Sequence, residues 1–215
     1  MAVLARLTSI GILIVSFLLA FAFYYVISSE KHEKKLKNLE QISGIIINFI
    51  IYVWVAKVLL NITIFIRDPI AVLAYPSDSR AFYLAFGLLL IHIVYQGRKD
   101  QWKIIEAKTG LVPIFLSSSF IYEFIQLVSG GVNFAIFHLG LLLVLLLIFV
   151  LSFEQLSRDL LNIGLMIAWT IGALVLSISQ PYLTLFNYMM SPLFLTIILV
   201  AFIGLLIFNQ RKVVR

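Results

Sequence analysis

The sequence predicts an all-α polytopic membrane protein, and three observations carry that prediction. Hydrophobic residues make up 62% of the 215 residues and charged residues only 12%, against roughly 45–50% and 25% in a soluble domain. The mean hydropathy is +1.09. Long uninterrupted apolar runs recur along the whole chain. A soluble fold of this size cannot hide that much apolar surface. A soluble enzyme, a nucleic-acid-binding domain and a disordered chain are thereby excluded. Cysteine is absent, which removes thiol redox chemistry, zinc-thiolate sites and iron–sulfur ligation.

A membrane span needs about 20 mostly apolar residues. Seven such stretches are expected, at residues 8–28, 43–66, 80–96, 110–128, 133–152, 160–180 and 187–208, forming a single domain over 1–215. Their length and continuous apolarity predict helices, because barrel strands alternate and are about half as long. The first span is too long for a cleaved leader, and its basic cluster follows it. In the sixth span Gly164, Ala168 and Gly172 recur every fourth residue. That spacing lets a neighbouring helix approach closely, within the bundle or in a membrane-protein partner.

The basic residues set the orientation. Lys31, Lys34, Lys35, Lys37, Arg98, Lys99, Lys103, Lys108, Arg158, Arg211, Lys212 and Arg215 fall on alternate connections or the tail, so these 12 share one side. Arg6, Arg67 and Arg80 are the 3 on the other. The bias predicts the N-terminus outside and the C-terminus in the cytoplasm. The basic loops also suit anionic headgroups, with Trp102 as an interfacial anchor.

The outer connection at 67–80 holds one more expected element. Asp68-Pro69 is a helix start, an N-cap followed by proline at the first helical position. Ile70 to Tyr75 is short and apolar, and Tyr75-Pro76 stops it. Ser77 or Ser79 is expected to cap the third span. A short helix in the outer interface results, flanked by Arg67 and Arg80.

Ionisable groups inside spans are costly and are functional candidates for that reason. Lys57 lies in the second span, with Trp54 and Asn61 expected on its face. Glu123 lies in the outer third of the fourth span, with Ser119 and Gln126 expected on its face. Lys57 and Glu123 are expected to pair, with Asn61 and Gln126 completing the network. Lys57, Asn61, Arg67, Arg80 and Gln126 are the candidate headgroup-binding residues. The depths of His32, His92 and His138 differ too much for one metal site, so neither metal nor cofactor is expected. Glu123 and His138 are the acid–base candidates.

The order of these features resembles prolipoprotein diacylglyceryl transferase. Ala56-Lys57-Val58 stands where that family has a small residue, an arginine and an aliphatic one. Asp68-Pro69 matches its acid or histidine before proline, and a basic loop, Arg98 to Lys108, follows the third span. Glu106 to Gln126 aligns without a gap to the family's fourth helix, with Pro113, Phe124 and Ile125 agreeing. Gln180-Pro181 matches a Gln-Pro after the sixth span. The resemblance implies seven helices in a bacterial cytoplasmic membrane, with phospholipid, phosphatidylglycerol in that family, as the partner. The family's catalytic residues are replaced. Its His-Gly-Gly region reads Ser77 to Tyr83, and its Gly-Arg-x-Gly-Asn-Phe signature reads Ser119 to Phe124. Phe120 thus stands for the arginine and Glu123 for the asparagine. Gly172 falls near the sixth-helix arginine, and only Ser129 to Val132 replaces the family's periplasmic head. A lipid-binding or lipid-handling protein that has lost the usual transferase site is the resulting expectation. The alternatives are a small transporter or channel lined by Lys57 and Glu123, and an active phosphatidylglycerol-dependent transferase with a rebuilt site.

Overall fold

A computed structural model describes the backbone of residues 2–74, 78–99, 101–130, 135–153 and 155–213, and side chains over 8–72, 78–96, 109–130, 136–153 and 155–207. The fold is all-α. The described residues form nine helices: α1 (Ala2–Ile27), α2 (His32–Leu60), α3 (Ile62–Arg67), α4 (Pro69–Ala74), α5 (Ser79–Lys99), α6 (Gln101–Val128), α7 (Ala135–Ser152), α8 (Arg158–Ser179) and α9 (Pro192–Val213). Between the last two lies a small hairpin of β1 (Thr184–Leu185) and β2 (Tyr188–Met189).

Five helices are long and apolar enough to cross a bilayer, over Thr8–Ile27, His32–Leu60, Ser79–Gln96, Thr109–Val128 and Arg158–Ser179. Two shorter apolar stretches, Ile136–Ser152 and Pro192–Ile207, accompany them. Isoleucine, leucine and valine side chains stand exposed along α1, α2, α7 and α9. Such an outward apolar surface fits lipid rather than water as solvent. The protein is a multi-pass membrane protein.

Several expected boundaries are corrected. The connection expected at 29–42 is mostly helix, because α2 starts at His32. Lys, Glu, Leu and Gln dominate that stretch and are good helix formers. The connection expected at 97–109 is likewise helical on both sides of residue 100, since α5 runs to Lys99 and α6 begins at Gln101. The side chain of Trp102 lies outside the described residues.

The second span, expected unbroken over 43–66, breaks at Asn61. There the backbone leaves helical geometry (φ −124°, ψ 32°), and α3 starts afresh. The Asn61 amide Nδ2 donates to the Lys57 carbonyl at 2.9 Å. This is the local side-chain competition that makes asparagine a weak helix residue.

The outer short helix forms as expected at Pro69–Ala74, and Ala71 N–H donates to Asp68 Oδ1 at 3.0 Å. The expected stop at Tyr75-Pro76 and Ser77 lie outside the described residues. The cap of α5 is Asp78 rather than the expected Ser79, since Ala81 N–H donates to Asp78 Oδ1 at 2.9 Å. A carboxylate there also complements the helix dipole.

The seventh span does not begin at 187. Residues 184–189 pair as an antiparallel hairpin, Thr184 opposite Met189 and Leu185 opposite Tyr188. Phe186 (φ 50°) and Asn187 (φ 70°) form its two-residue turn, and positive φ at both central positions defines a type I′ turn. Ser191 then caps α9, accepting from Phe194 N–H at 3.3 Å, with Pro192 at the first helical position.

The chain divides into two compact units, one of residues 31–107, the other of 1–30 with 108–215. In the first unit, α2 packs on α5 through Val53, Ala56, Ala81 and Ala85, with Phe49 and Tyr52 beside them. Alanines let the two helix backbones come close.

In the second unit the core is built by Ala20 and Tyr24 of α1, Leu116 of α6, Leu142 and Phe149 of α7, Trp169 of α8 and Leu195 of α9. Phe186 at the hairpin tip packs on Phe17 at 5.4 Å and Tyr122 at 5.5 Å between ring centroids. Of the small residues on α8, Gly172 is closely covered by Leu141 of α7, whose Cδ1 lies 2.6 Å from where a Cβ would stand. Gly164 and Ala168 face outward.

Candidate functional site

The first unit contains Lys57, Asn61, Arg67 and Arg80. Lys57 is only 8% exposed, one turn before the break at Asn61, whereas Trp54 is 57% exposed. The expected common face of Trp54 and Lys57 is therefore not formed. Asn61 is turned back on its own helix by the bond to the Lys57 carbonyl. Arg67 ends α3 and Arg80 opens α5, both exposed. Ile64 and Ile66, before Arg67, and Ile70, after it, stand exposed on the α3–α4 elbow. The elbow thus carries an exposed apolar surface with the Arg67 cation at its bend.

The second unit contains Glu123, Gln126 and His138. Glu123 of α6 is 5% exposed and His138 of α7 is 2% exposed. Glu123 Oε1 lies 3.5 Å from His138 Nδ1. This is ion-pair distance, but the groups are not aligned for a hydrogen bond. The two acid–base candidates are thus brought together. Gln126 does not join them, because its Nε2 donates to Tyr122 Oη at 3.1 Å. The expected Lys57–Glu123 pairing links residues of different units and stays a proposal.

The same helices bury further polar groups. Ser119 precedes Glu123 by one turn of α6 and is 1% exposed, and its Oγ makes no hydrogen bond within the protein. Neither ring nitrogen of His138 nor the indole Nε1 of Trp169 makes one. Trp169 was not singled out by sequence, since tryptophan is ordinary in a membrane helix. The Glu123–His138 contact had a legible signal. The two residues lie about equally far on either side of the connection between α6 and α7, as partners across a helical hairpin must.

Other polar groups are structural. Pro113 sits inside α6 and has no N–H for the Thr109 carbonyl. Asn162 Nδ2 of α8 reaches that carbonyl at 3.5 Å. At the end of α1, Glu30 accepts from Arg158 Nη1 at 2.8 Å and from Tyr24 Oη at 3.4 Å. His92 bonds Tyr52 Oη through Nδ1 at 2.8 Å, and His32 is exposed. Among the described residues no three His, Cys, Asp or Glu side chains form a group that could hold a metal.

Fold and buried polar groups together define a multi-pass helical membrane protein with buried ionisable side chains in each of its two units. No family model, curated protein or solved structure matches the chain.

Proposed function

We propose that the chain crosses a bacterial cytoplasmic membrane seven times, N-terminus outside, and handles a phospholipid through its headgroup. The single observation that carries the lipid reading is the placement of Lys57. It is a buried cation in an apolar helix, one turn before the helix breaks into an exposed apolar elbow that carries Arg67 at its bend, with Arg80 following at the start of α5. Charges are kept inside membrane helices chiefly where they meet a charged partner or a ligand. The elbow lies at a leaflet surface, with its isoleucines among acyl chains and its arginines at headgroup level. The order of motifs shared with prolipoprotein diacylglyceryl transferase supports the same reading, with phosphatidylglycerol as the first lipid to test.

Seven crossings need α7 and α9 to span. The 18 residues of α7 reach about 27 Å and the 22 of α9 about 33 Å at 1.5 Å per residue. The hydrocarbon core is about 30 Å thick and is spanned by helices of about 17–25 residues, so α9 is long enough and α7 lies at the short end of that range. The Glu30–Arg158 contact supports the alternation, because it puts the end of α1 and the start of α8 at the same level.

The test is lipid mass spectrometry on the purified protein. Phosphatidylglycerol enriched over the host membrane, and reduced several-fold in Lys57→Ala and in Arg67→Ala/Arg80→Ala, is the expected result. Retained lipid that mirrors the host membrane in all three proteins contradicts it.

A second reading, a phosphatidylglycerol-dependent transferase with a rebuilt site, is favoured by the buried Glu123–His138 pair. It predicts turnover of phosphatidylglycerol with a lipobox peptide, abolished in Glu123→Gln. No turnover by the folded wild-type protein sinks it.

A further inference from the structure

We infer that the β1–β2 hairpin is re-entrant and lines a water-filled vestibule, which reaches the middle of the membrane and admits water and small uncharged polar solutes. Its residues all belong to the second unit, so the inference stands independently of the headgroup reading for Lys57. Of the membrane it requires only that α1, α6 and α8 cross it, and all three are long and apolar enough to do so.

Three helices fix the depth of the hairpin tip. The Phe186 ring lies 5.4 Å from that of Phe17. Phe17 is at the centre of the apolar stretch of α1, 9 residues after Thr8 and 10 before Ile27. On α6 the same ring lies 6.5 Å from Phe115 and 5.5 Å from Tyr122. Its level is therefore between those two residues, at the centre of Thr109–Val128. Phe115 in turn meets Trp169 at 5.0 Å, halfway along α8. A phenylalanine side chain is shorter than one helix turn of about 5.4 Å, and the hydrocarbon core reaches about 15 Å either side of its midplane. The turn at Phe186 and Asn187 thus lies well inside the core. The extended chain from Gln180 to Phe186 reaches about 20 Å at about 3.3 Å per residue, enough to return from the end of α8 to this depth.

Irregular backbone at that depth is tolerated only where protein buries it or where it lines a water-filled cavity. Asn187 is exposed, so protein does not bury the tip. Among the described residues neither the Asn187 amide nor the main chain of Phe186 or Asn187 has a hydrogen-bond partner. Water is the solvent that satisfies such groups.

The two faces of the hairpin differ in the same sense. Thr184 stands opposite Met189 and Leu185 opposite Tyr188, and Met190 N–H donates to the Leu183 carbonyl at 2.8 Å. Side chains alternate between faces along each strand. One face carries Leu183, Leu185 and Met190, exposed by 3%, 5% and 4%, and packs on the protein. The other carries Tyr182, Thr184 and Met189, beside Asn187 of the turn. A phenol, a hydroxyl and a carboxamide thus accompany one thioether on the outward side. At the same depth the outward side chains of α1 are Ile14, Val15, Leu18 and Leu19, all apolar. A sheet that is apolar on one face and polar on the other has its polar face in water. Residues 180–191 carry no charge, which suits uncharged hydrogen-bonding solutes.

The test is site-directed spin labelling of the full-length protein in phosphatidylcholine vesicles. Single cysteines are introduced as Asn187→Cys, Thr184→Cys, Leu18→Cys and Ser129→Cys. Collisions are measured with oxygen, which concentrates in hydrocarbon, and with a neutral nickel chelate confined to water. Leu18→Cys, 60% exposed and next to Phe17, reports lipid at the depth of the tip. Ser129→Cys, exposed after α6, reports water. The expected nickel-to-oxygen ratio at Asn187→Cys and Thr184→Cys is several-fold above that at Leu18→Cys and close to that at Ser129→Cys. Thr184→Cys sits in extended backbone and serves if a substitution at the left-handed Asn187 disturbs the turn. The Leu18→Cys ratio at the hairpin overturns the inference. So does a hairpin that neither probe reaches, as a face covered by a second copy gives. A water-like ratio at Leu18→Cys removes the membrane depth itself and overturns it as well.

Discussion

At Thr109 a carbonyl loses its helical partner because Pro113, four residues on, has no N–H. Asn162 from α8 supplies a donor in its place. Asn162→Leu keeps the volume and removes the donor. It should lower stability by about 1–2 kcal/mol, since a buried carbonyl then lacks that donor, and thermal unfolding in nanodiscs reads the change. Unaltered stability would mean that the 3.5 Å contact contributes nothing. Glu30 is a stronger case. Its side chain is 5% exposed while Arg158 is 32% exposed. Arg158→Ala removes the charged partner of a buried carboxylate at a cost of about 1–3 kcal/mol, whereas Glu30→Gln/Arg158→Ala should recover part of it. The double-mutant cycle measures that coupling. Lys57, Glu123 and His138 were readable in the sequence because an ionisable residue in an apolar run is conspicuous. Asn162, Glu30 and Trp169 were not, because each acquires its role from a helix distant in sequence.

Two elements depend on close fits that residue type alone does not announce. The hairpin turn holds Phe186 in the left-handed region at φ 50°, where a non-glycine residue costs roughly 1–2 kcal/mol. Its ring meets Phe17, Phe115 and Tyr122. Phe186 is half-buried, so it gains part of the about 1.5–3 kcal/mol of a fully buried phenylalanine, and each aromatic pair adds about 0.5–1.5 kcal/mol. Packing therefore outweighs strain. Phe186→Gly should destabilise the fold by about 1 kcal/mol or more despite relieving the backbone, and a gain in melting temperature would contradict this.

On α8, Gly172→Val drives its methyls into Leu141, whose Cδ atoms already crowd that position. Overpacking of this kind costs about 1–3 kcal/mol. Gly164→Val, on the open face, should be close to neutral, and an equal loss at both positions would refute the close approach. The four-residue spacing thus identified a small-residue face, but only one of its members is used for contact. The short helix after Asp68 was legible from its cap and proline. The break at Asn61 was not, because the apolar run continues across it to Ile66.

For the whole molecule, composition sufficed to place the chain in a membrane, and alternating charge suggested which ends lie together. Helix ends were harder to read. The basic clusters are themselves helix-forming, so α2, α5 and α6 extend beyond the apolar cores that marked them. The proposed seven crossings would set the depth of Lys57 and of the Glu123–His138 pair. The natural absence of cysteine allows single reporters to be introduced cleanly. Ser129→Cys, after α6, and Gln155→Cys, after α7, are both at exposed positions and report whether α7 crosses. In intact cells an impermeant maleimide should label Ser129→Cys and leave Gln155→Cys unlabelled until the membrane is opened. Labelling of both from outside, or of neither, would place the two ends of α7 on the same side and contradict the seven-span arrangement.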